Sequence, residues 1–150
     1  MSAKAAVLLV EDDRDEIDVV LRAVDRSGID AAIEVARDGH EALESLGLEP
    51  TDAADGPSAQ PKVVFLDLKM PRVDGFEVLR RVRADPRTAD LPVVVLSRSD
   101  RTEDVQRSYA LGANSVLVKR FDPRGPGAYF AEAVRYWLEL NRAPEGGGNR

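Results

Sequence analysis

The chain has no cysteine, a single histidine and a single tryptophan in 150 residues, and aromatic residues make up only 5% of it. Without cysteine there are no disulfides, thiolate zinc sites or cysteine nucleophiles, a composition that suits a reducing compartment. A lone histidine excludes multi-histidine metal centres and argues against a histidine-based triad. It is His40, in a polar stretch at the start of the second helix, and it reads as exposed and inert. No apolar run approaches the roughly 18 residues that a membrane helix needs. The run AAVLLV near the start is too short for a secretory core and meets carboxylates at once. Positive charge is also in deficit: 27 acidic against 21 basic residues give a net −6, which opposes attraction to nucleic acid or an anionic membrane face. These absences leave a cytoplasmic, carboxylate-rich protein of one domain as the expectation, with no nucleic-acid or membrane partner.

What is present is an alternation. Five short apolar runs rich in β-branched residues recur at Ala5–Val10, Ala32–Ala36, Lys62–Leu66, Pro92–Leu96 and Ser115–Val118. Continuous apolar character is the mark of strands buried on both faces, as in a parallel sheet. Between the runs the apolar period becomes helical. Ile17, Val20, Leu21 and Val24 mark a first helix, Ala42, Leu43 and Leu46 a second, and Phe76, Leu79 and Val82 a third. Val105, Tyr109 and Leu111 mark a fourth, and a stripe from Phe130 through Val134 and Trp137 to Asn141 a fifth. Asp74-x-x-Glu77 and Asp100-x-x-Glu103 have the spacing of a capping box. Five β-α alternations predict an α/β fold, a doubly wound, five-stranded parallel sheet with helices on both faces. The polar stretch Glu49–Pro61 reads as a surface loop, Asp122–Gly127 as a delay before the last helix, and Ala143–Arg150 as a frayed tail.

In such a sheet ligands bind beyond the carboxyl ends of the strands, where strand order reverses. Strand one ends in Glu11-Asp12-Asp13, strand three in Asp67, strand four in Ser97 and strand five in Lys119. Strand two ends in Arg37-Asp38-Gly39, an ordinary turn and helix start. Taken singly, an Asp or Ser after a strand is most often a helix cap. Taken together, the fold would gather three carboxylates, a hydroxyl and an ammonium. Clustered carboxylates raise one another's pKa unless a cation is present, and an all-oxygen donor set favours Mg2+ or Mn2+. A phosphoryl group has oxygens for the metal, for Lys119 and for Ser97, and a carboxylate such as Asp67 can act as nucleophile to form an acyl phosphate.

The segments VEDD, FLDLKMPRVDGFEVL, VVVLSRS and GANSVLVK resemble, in order and spacing, the four signatures of the response-regulator receiver domain. Within that family the chain is similar to the stand-alone regulators paired with bacterial phytochromes. The resemblance implies a flavodoxin-like sheet of order 2-1-3-4-5, a receiver domain over residues 1–142, and a disordered tail over 143–150. It implies phosphorylation of Asp67 by a sensor histidine kinase, here a bacteriophytochrome, and output through protein contacts or a downstream phosphotransfer protein. Glu11, Asp12, Asp67 and the backbone carbonyl of Lys69 would hold Mg2+, with Ser97 as switch hydroxyl and Lys119 as the phosphoryl's lysine. Such a domain is a phosphoacceptor that hydrolyses its own acyl phosphate, not an enzyme with a separate substrate.

Three positions depart from the family pattern: Arg98 where a small residue is usual, Val116 in place of the switch aromatic, and Arg120 in place of the proline after the lysine. They keep open a second reading, a pseudo-receiver acting as a constitutive interaction or dimerisation module. A third, an aspartyl phosphatase, would want a general acid two residues after the nucleophile, where Lys69 stands. Helical spacing leaves Tyr129 and Tyr136 near a flank of the last helix, an aromatic surface suited to a homodimer. The arginines of the third helix, Arg80, Arg81, Arg83 and Arg87, read as a solvated face.

Overall fold

The computed structural model describes residues 6–50, 60–70, 73–98, 101–119 and 122–144. The elements alternate as β1 (Val7–Val10), α1 (Arg14–Ser27), β2 (Ile33–Ala36), α2 (Gly39–Ser45), β3 (Val63–Asp67), α3 (Gly75–Ala84), β4 (Val93–Ser97), α4 (Thr102–Ala110), β5 (Ser115–Val118) and α5 (Ala128–Arg135). The strands form one parallel sheet of order β2-β1-β3-β4-β5.

Strand geometry explains the unbroken apolar runs. Successive side chains point to opposite faces of a strand, and here both faces are covered. Leu8, Val10, Val64, Leu66, Val93 and Val95 pack on one side against Leu43 of α2 and Leu79 and Val82 of α3. Val7, Leu9, Val63, Phe65, Val94 and Leu96 pack on the other against Ile17, Val20 and Val24 of α1 and Phe130 and Val134 of α5. β1, β3 and β4 are buried along their whole length, whereas the edge strands β2 and β5 are largely half-buried.

Helix starts follow from capping chemistry. The Asp13 carboxylate accepts from the N–H groups of Asp15 and Glu16, Asp38 accepts from Glu41, and Asp74 accepts from Glu77, each satisfying amide donors that the first turn leaves over. α4 begins after Arg101, which occupies the cap position without a side-chain cap bond, and Asp100, where a capping box was expected, lies outside the described residues.

Three expectations are corrected. The fourth helix does not bury Val105, Tyr109 and Leu111 as a face; Ser108 is its only buried residue, and Tyr109 is 50% exposed. The fifth helix does not run as one α-helix to Asn141. It becomes a π-turn at Tyr136–Leu140, in which the Asn141 N–H donates to the Tyr136 carbonyl at 2.7 Å, and Trp137 is half-buried. The four arginines assigned to the third helix are not uniformly solvated, and Arg87 lies beyond its end at Ala84. Arg80 and Arg87 are exposed and pair with Glu77 and Asp85. Arg81 binds Glu49 and the Leu48 carbonyl. The Arg83 guanidinium donates to the carbonyls of Gly112 (2.9 Å), Ala89 (3.2 Å) and Leu91 (2.7 Å) and to the Asn114 side chain (2.7 Å). A buried carbonyl left without a donor carries a desolvation cost, and one guanidinium with five N–H groups serves several at once.

His40 is partly exposed and lies 3.8 Å from Glu44. Most of the polar loop, residues 51–59, and most of the tail, residues 145–150, lie outside the described residues, as does Arg120.

Candidate functional site

The order β2-β1-β3 means that the chain leaves β1 toward one edge of the sheet and reaches the other edge by way of β3 and β4. A crevice therefore opens beyond the carboxyl ends of β1 and β3. Glu11 and Asp12 follow β1 directly and Asp67 is the last residue of β3. One carboxylate oxygen from each lies within 4.8 Å of the other two. Of the paired acids after β1, Asp13 supplies the helix cap and Asp12 stands exposed beside it.

Asp67 is held where it is by a close approach. The α3 start lies so near the β3 end that a Cβ on Gly75 would sit 2.5 Å from the Asp67 carbonyl oxygen and 2.7 Å from the Leu68 Cα. No residue but glycine fits. The Gly75 N–H donates to the Leu68 carbonyl, and the Lys69 N–H donates to the Asp67 carboxylate at 3.3 Å. The Asp74-Gly75 pair within FLDLKMPRVDGFEVL was the available signal for this role.

Lys119 follows β5. Its side chain is 6% exposed, and its ammonium lies 2.6 Å from Glu11 and 3.7 Å from Asp67. Its backbone N–H donates to the carbonyl of Ser97, which ends β4 and is buried. Glu11 is 1% exposed and accepts from Lys119 and from the Asp13 N–H. Four of the five strand ends thus meet, as expected from the sequence.

The cavity at this point holds about 380 Å3 and is lined by these three carboxylates and that of Asp13, with Lys69, Ser97 and Arg98. Lys119 reaches the carboxylates from behind and lines an adjoining cavity of about 640 Å3. Burial pushes the Asp67 carboxyl up to about 7; Lys119 opposes that shift, while the charge of Glu11 and its hydrogen bond add to it.

Within the triad one ammonium, that of Lys119, stands against Glu11 and Asp67, and no cation is in contact with Asp12 among the described residues. Every buried side-chain polar atom among the described residues has a hydrogen-bond partner. The exposed Asp12, the Asp67 oxygens and the cavity between them fit a hard divalent cation. Glu11 already accepts from Lys119 and would meet such a cation with its charge partly offset.

The departures fall as follows. Arg98 lies at the cavity mouth, 3.3 Å from Asp13 and 3.5 Å from Glu16. Val116 is half-buried against the α2–α3 core. Of the two flank tyrosines only Tyr136 is exposed, at 47%; Tyr129 is turned inward, half-buried, with its hydroxyl 3.4 Å from Glu16. The sequence reading missed Gly75, and it missed Glu16 as the residue between Arg98 and Tyr129.

Comparison with known proteins agrees with this geometry. Residues 7–125 match the response regulator receiver domain. The probable methanogenesis regulatory protein FilR2 of Methanothrix harundinacea is 38% identical over 138 residues, covering 92% of this chain and 86% of that protein. The response regulator Rcp1 of Synechocystis is 32% identical over 138 residues, 92% of each chain, and its Mn(2+)-bound crystal structure superposes with a TM-score of 0.79 over 93% of this chain and 99% of that one. The phosphorylated cyanobacterial phytochrome response regulator RcpA superposes with a TM-score of 0.80 at 30% identity, over 95% of this chain and 100% of that one. By the match of its sequence, its strand order and the acids at its sheet edge, the chain belongs to the response regulator receiver domain family, a family of signalling domains.

Proposed function

We propose that the chain is a single-domain two-component response regulator that is phosphorylated on Asp67. The observation that carries this reading is the convergence of Glu11, Asp12 and Asp67 within 4.8 Å, with the Lys119 ammonium against two of them. A carboxylate oxygen of Asp67 attacks the phosphorus of a phosphohistidine. A P–O bond forms, the P–N bond breaks, and the departing imidazole takes up a proton. Mg2+ or Mn2+, held by Asp12, Asp67, Glu11 and the Lys69 carbonyl, would neutralise charge on the transferred oxygens. Lys119 and the Ser97 hydroxyl would bind those oxygens once attached. Hydrolysis of the acyl phosphate by water returns the carboxylate, so the domain resets itself.

The kinase is proposed to be a sensor histidine kinase of the bacteriophytochrome type, supported by the likeness to a phytochrome response regulator. Output runs through protein contacts or a downstream phosphotransfer protein in the cytoplasm. No helix among the described residues is long and apolar enough to cross a membrane. A homodimer is proposed through the flank where Tyr136 and Leu140, 47% and 72% exposed, present apolar surface beside Trp137. Light scattering at high micromolar concentration is expected to give twice the chain mass, and the mass of one chain would exclude the dimer.

Incubation with acetyl phosphate and Mg2+, followed by intact-mass measurement, is expected to add one phosphoryl group. Asp67→Asn is expected to add none. A wild-type chain that stays unmodified would remove this reading.

A further inference from the structure

Arg98 forms the common wall of two cavities. On one side lie Asp67, Ser97 and the acids after β1; on the other lie Lys119, Glu16 and Tyr129. Its guanidinium does not fill the first cavity. It is drawn across the mouth to α1, 3.3 Å from Asp13 and 3.5 Å from Glu16. Both distances exceed the roughly 2.7–2.9 Å of a well-formed charge-assisted bond. The Arg98 and Asp13 side chains are 67% and 45% exposed. Ion pairs of this kind are weak and easily exchanged.

Glu16 has a second partner. Its other carboxylate oxygen accepts from the Tyr129 hydroxyl at 3.4 Å. Tyr129 stands in the first turn of α5, and burial, reinforced by Glu16, pushes its phenol well up. It therefore remains a hydroxyl donor. A continuous polar path thus runs from the strand end that carries Ser97, through Arg98 and Glu16, to α5. Val116, which has neither ring nor hydroxyl, offers no comparable path through β5.

We propose, resting on phosphorylation of Asp67, that Arg98 is a positioning residue that exchanges Asp13 and Glu16 for the phosphoryl oxygens, and that the release of Glu16 carries the event to Tyr129 and α5. A phosphoryl group brings about −1.5 to −2 charges on three acceptor oxygens. That exceeds what either carboxylate offers at its present distance. Freed from Arg98, Glu16 has its charge directed at the Tyr129 hydroxyl alone. The bond between α1 and α5 tightens at the α5 start, where Gly127 at φ +77 begins the helix. Trp137, the chain's single tryptophan, lines the same groove as Tyr129 and reports on it.

The test uses the full chain with acetyl phosphate and Mg2+. Phosphoryl lifetime is followed by intact mass, and Trp137 emission is followed in parallel. Arg98→Ala is expected to lose the phosphoryl group about tenfold faster than wild type, the size of one charge-assisted hydrogen bond. Arg98→Lys is expected to recover part of that lifetime. Glu16→Gln is expected to keep the wild-type lifetime and lose the Trp137 response, which separates the two legs of the path. Equal lifetimes in wild type and Arg98→Ala, or an undiminished Trp137 response in Glu16→Gln, would overturn the inference and leave Asp67 phosphorylation standing. A wild-type chain that takes up no phosphoryl group would overturn both.

Discussion

The carboxyl ends of β1 and β3 and the flank formed by α4, β5 and the end of α5 are packed in opposite ways. At the first, Val10 and Leu66 are almost fully buried, as is Leu96, the β4 residue paired with Asp67. At the second, α4 buries only Ser108, β5 is half-buried throughout, and Tyr109, Tyr136 and Leu140 stand out into solvent. Chemistry on a single carboxylate needs atoms held to fractions of an ångström, and dense packing provides that. A surface that would change with the proposed phosphorylation of Asp67 would need few contacts to break, and sparse packing provides that.

The comparison breaks first if the dense region proves tolerant. Phe65 is fully buried, with its ring 4.7 Å from that of Phe130. Phe65→Ala is expected to cost about 3–5 kcal/mol, read from urea denaturation. Lys119→Met removes the partner 2.6 Å from a Glu11 that is 1% exposed, and a loss of about 3–5 kcal/mol is expected on the same measurement.

A titration sharpens it next. The Asp67 carboxyl is raised from 3.8 to about 7 in the folded, metal-free chain. Below about pH 4 it is neutral in both states and imposes no penalty. As pH rises toward 7 the unfolded chain ionises first, so stability falls, and above 7 the whole cost of a buried charge is present. Asp67→Asn is therefore expected to stabilise the metal-free protein by about 2–4 kcal/mol at pH 8, with the difference vanishing toward pH 4. Equal melting temperatures at both pH values would show that Asp67 is solvated.

Adding Mg2+ to about a hundred times its dissociation constant is expected to stabilise the wild type by about 2.7 kcal/mol, and to do little for Asp67→Asn. The smallest effects belong to the flank. Tyr136→Ser and Leu140→Ser are each expected to shift monomer stability by less than about 0.5 kcal/mol. A larger loss would mean that the flank is already covered by another surface.

The same contrast explains what could be read from the residues alone. Strands buried on both faces leave an unmistakable run, so β1, β3 and β4 were legible, and the acids that follow them pointed to the crevice without any coordinates. Where burial is partial, the pattern misleads. Tyr109 sits at helical spacing from Val105, but at this flank of the sheet there is little to cover it. Tyr129 and Tyr136 look alike in sequence; they differ in that Tyr129 packs against the α1–α5 core with its hydroxyl on Glu16, while Tyr136 is exposed. Arg83 was misread for another reason: its partners are mainly backbone carbonyls, which every residue possesses and no side-chain pattern reveals.

That arginine has a consequence for how the sheet can move. Its partners, Ala89, Leu91, Gly112 and Asn114, lie in the two loops that feed β4 and β5, and the Asn114 side chain also accepts from the Val93 N–H. The amino pole of these strands is therefore stapled by one planar cation, while Asp67, Ser97 and Lys119 sit at the far pole. Amide protons around Val93 and Asn114 should exchange in a single cooperative opening, and displacement on signalling should grow along each strand from a nearly stationary foot.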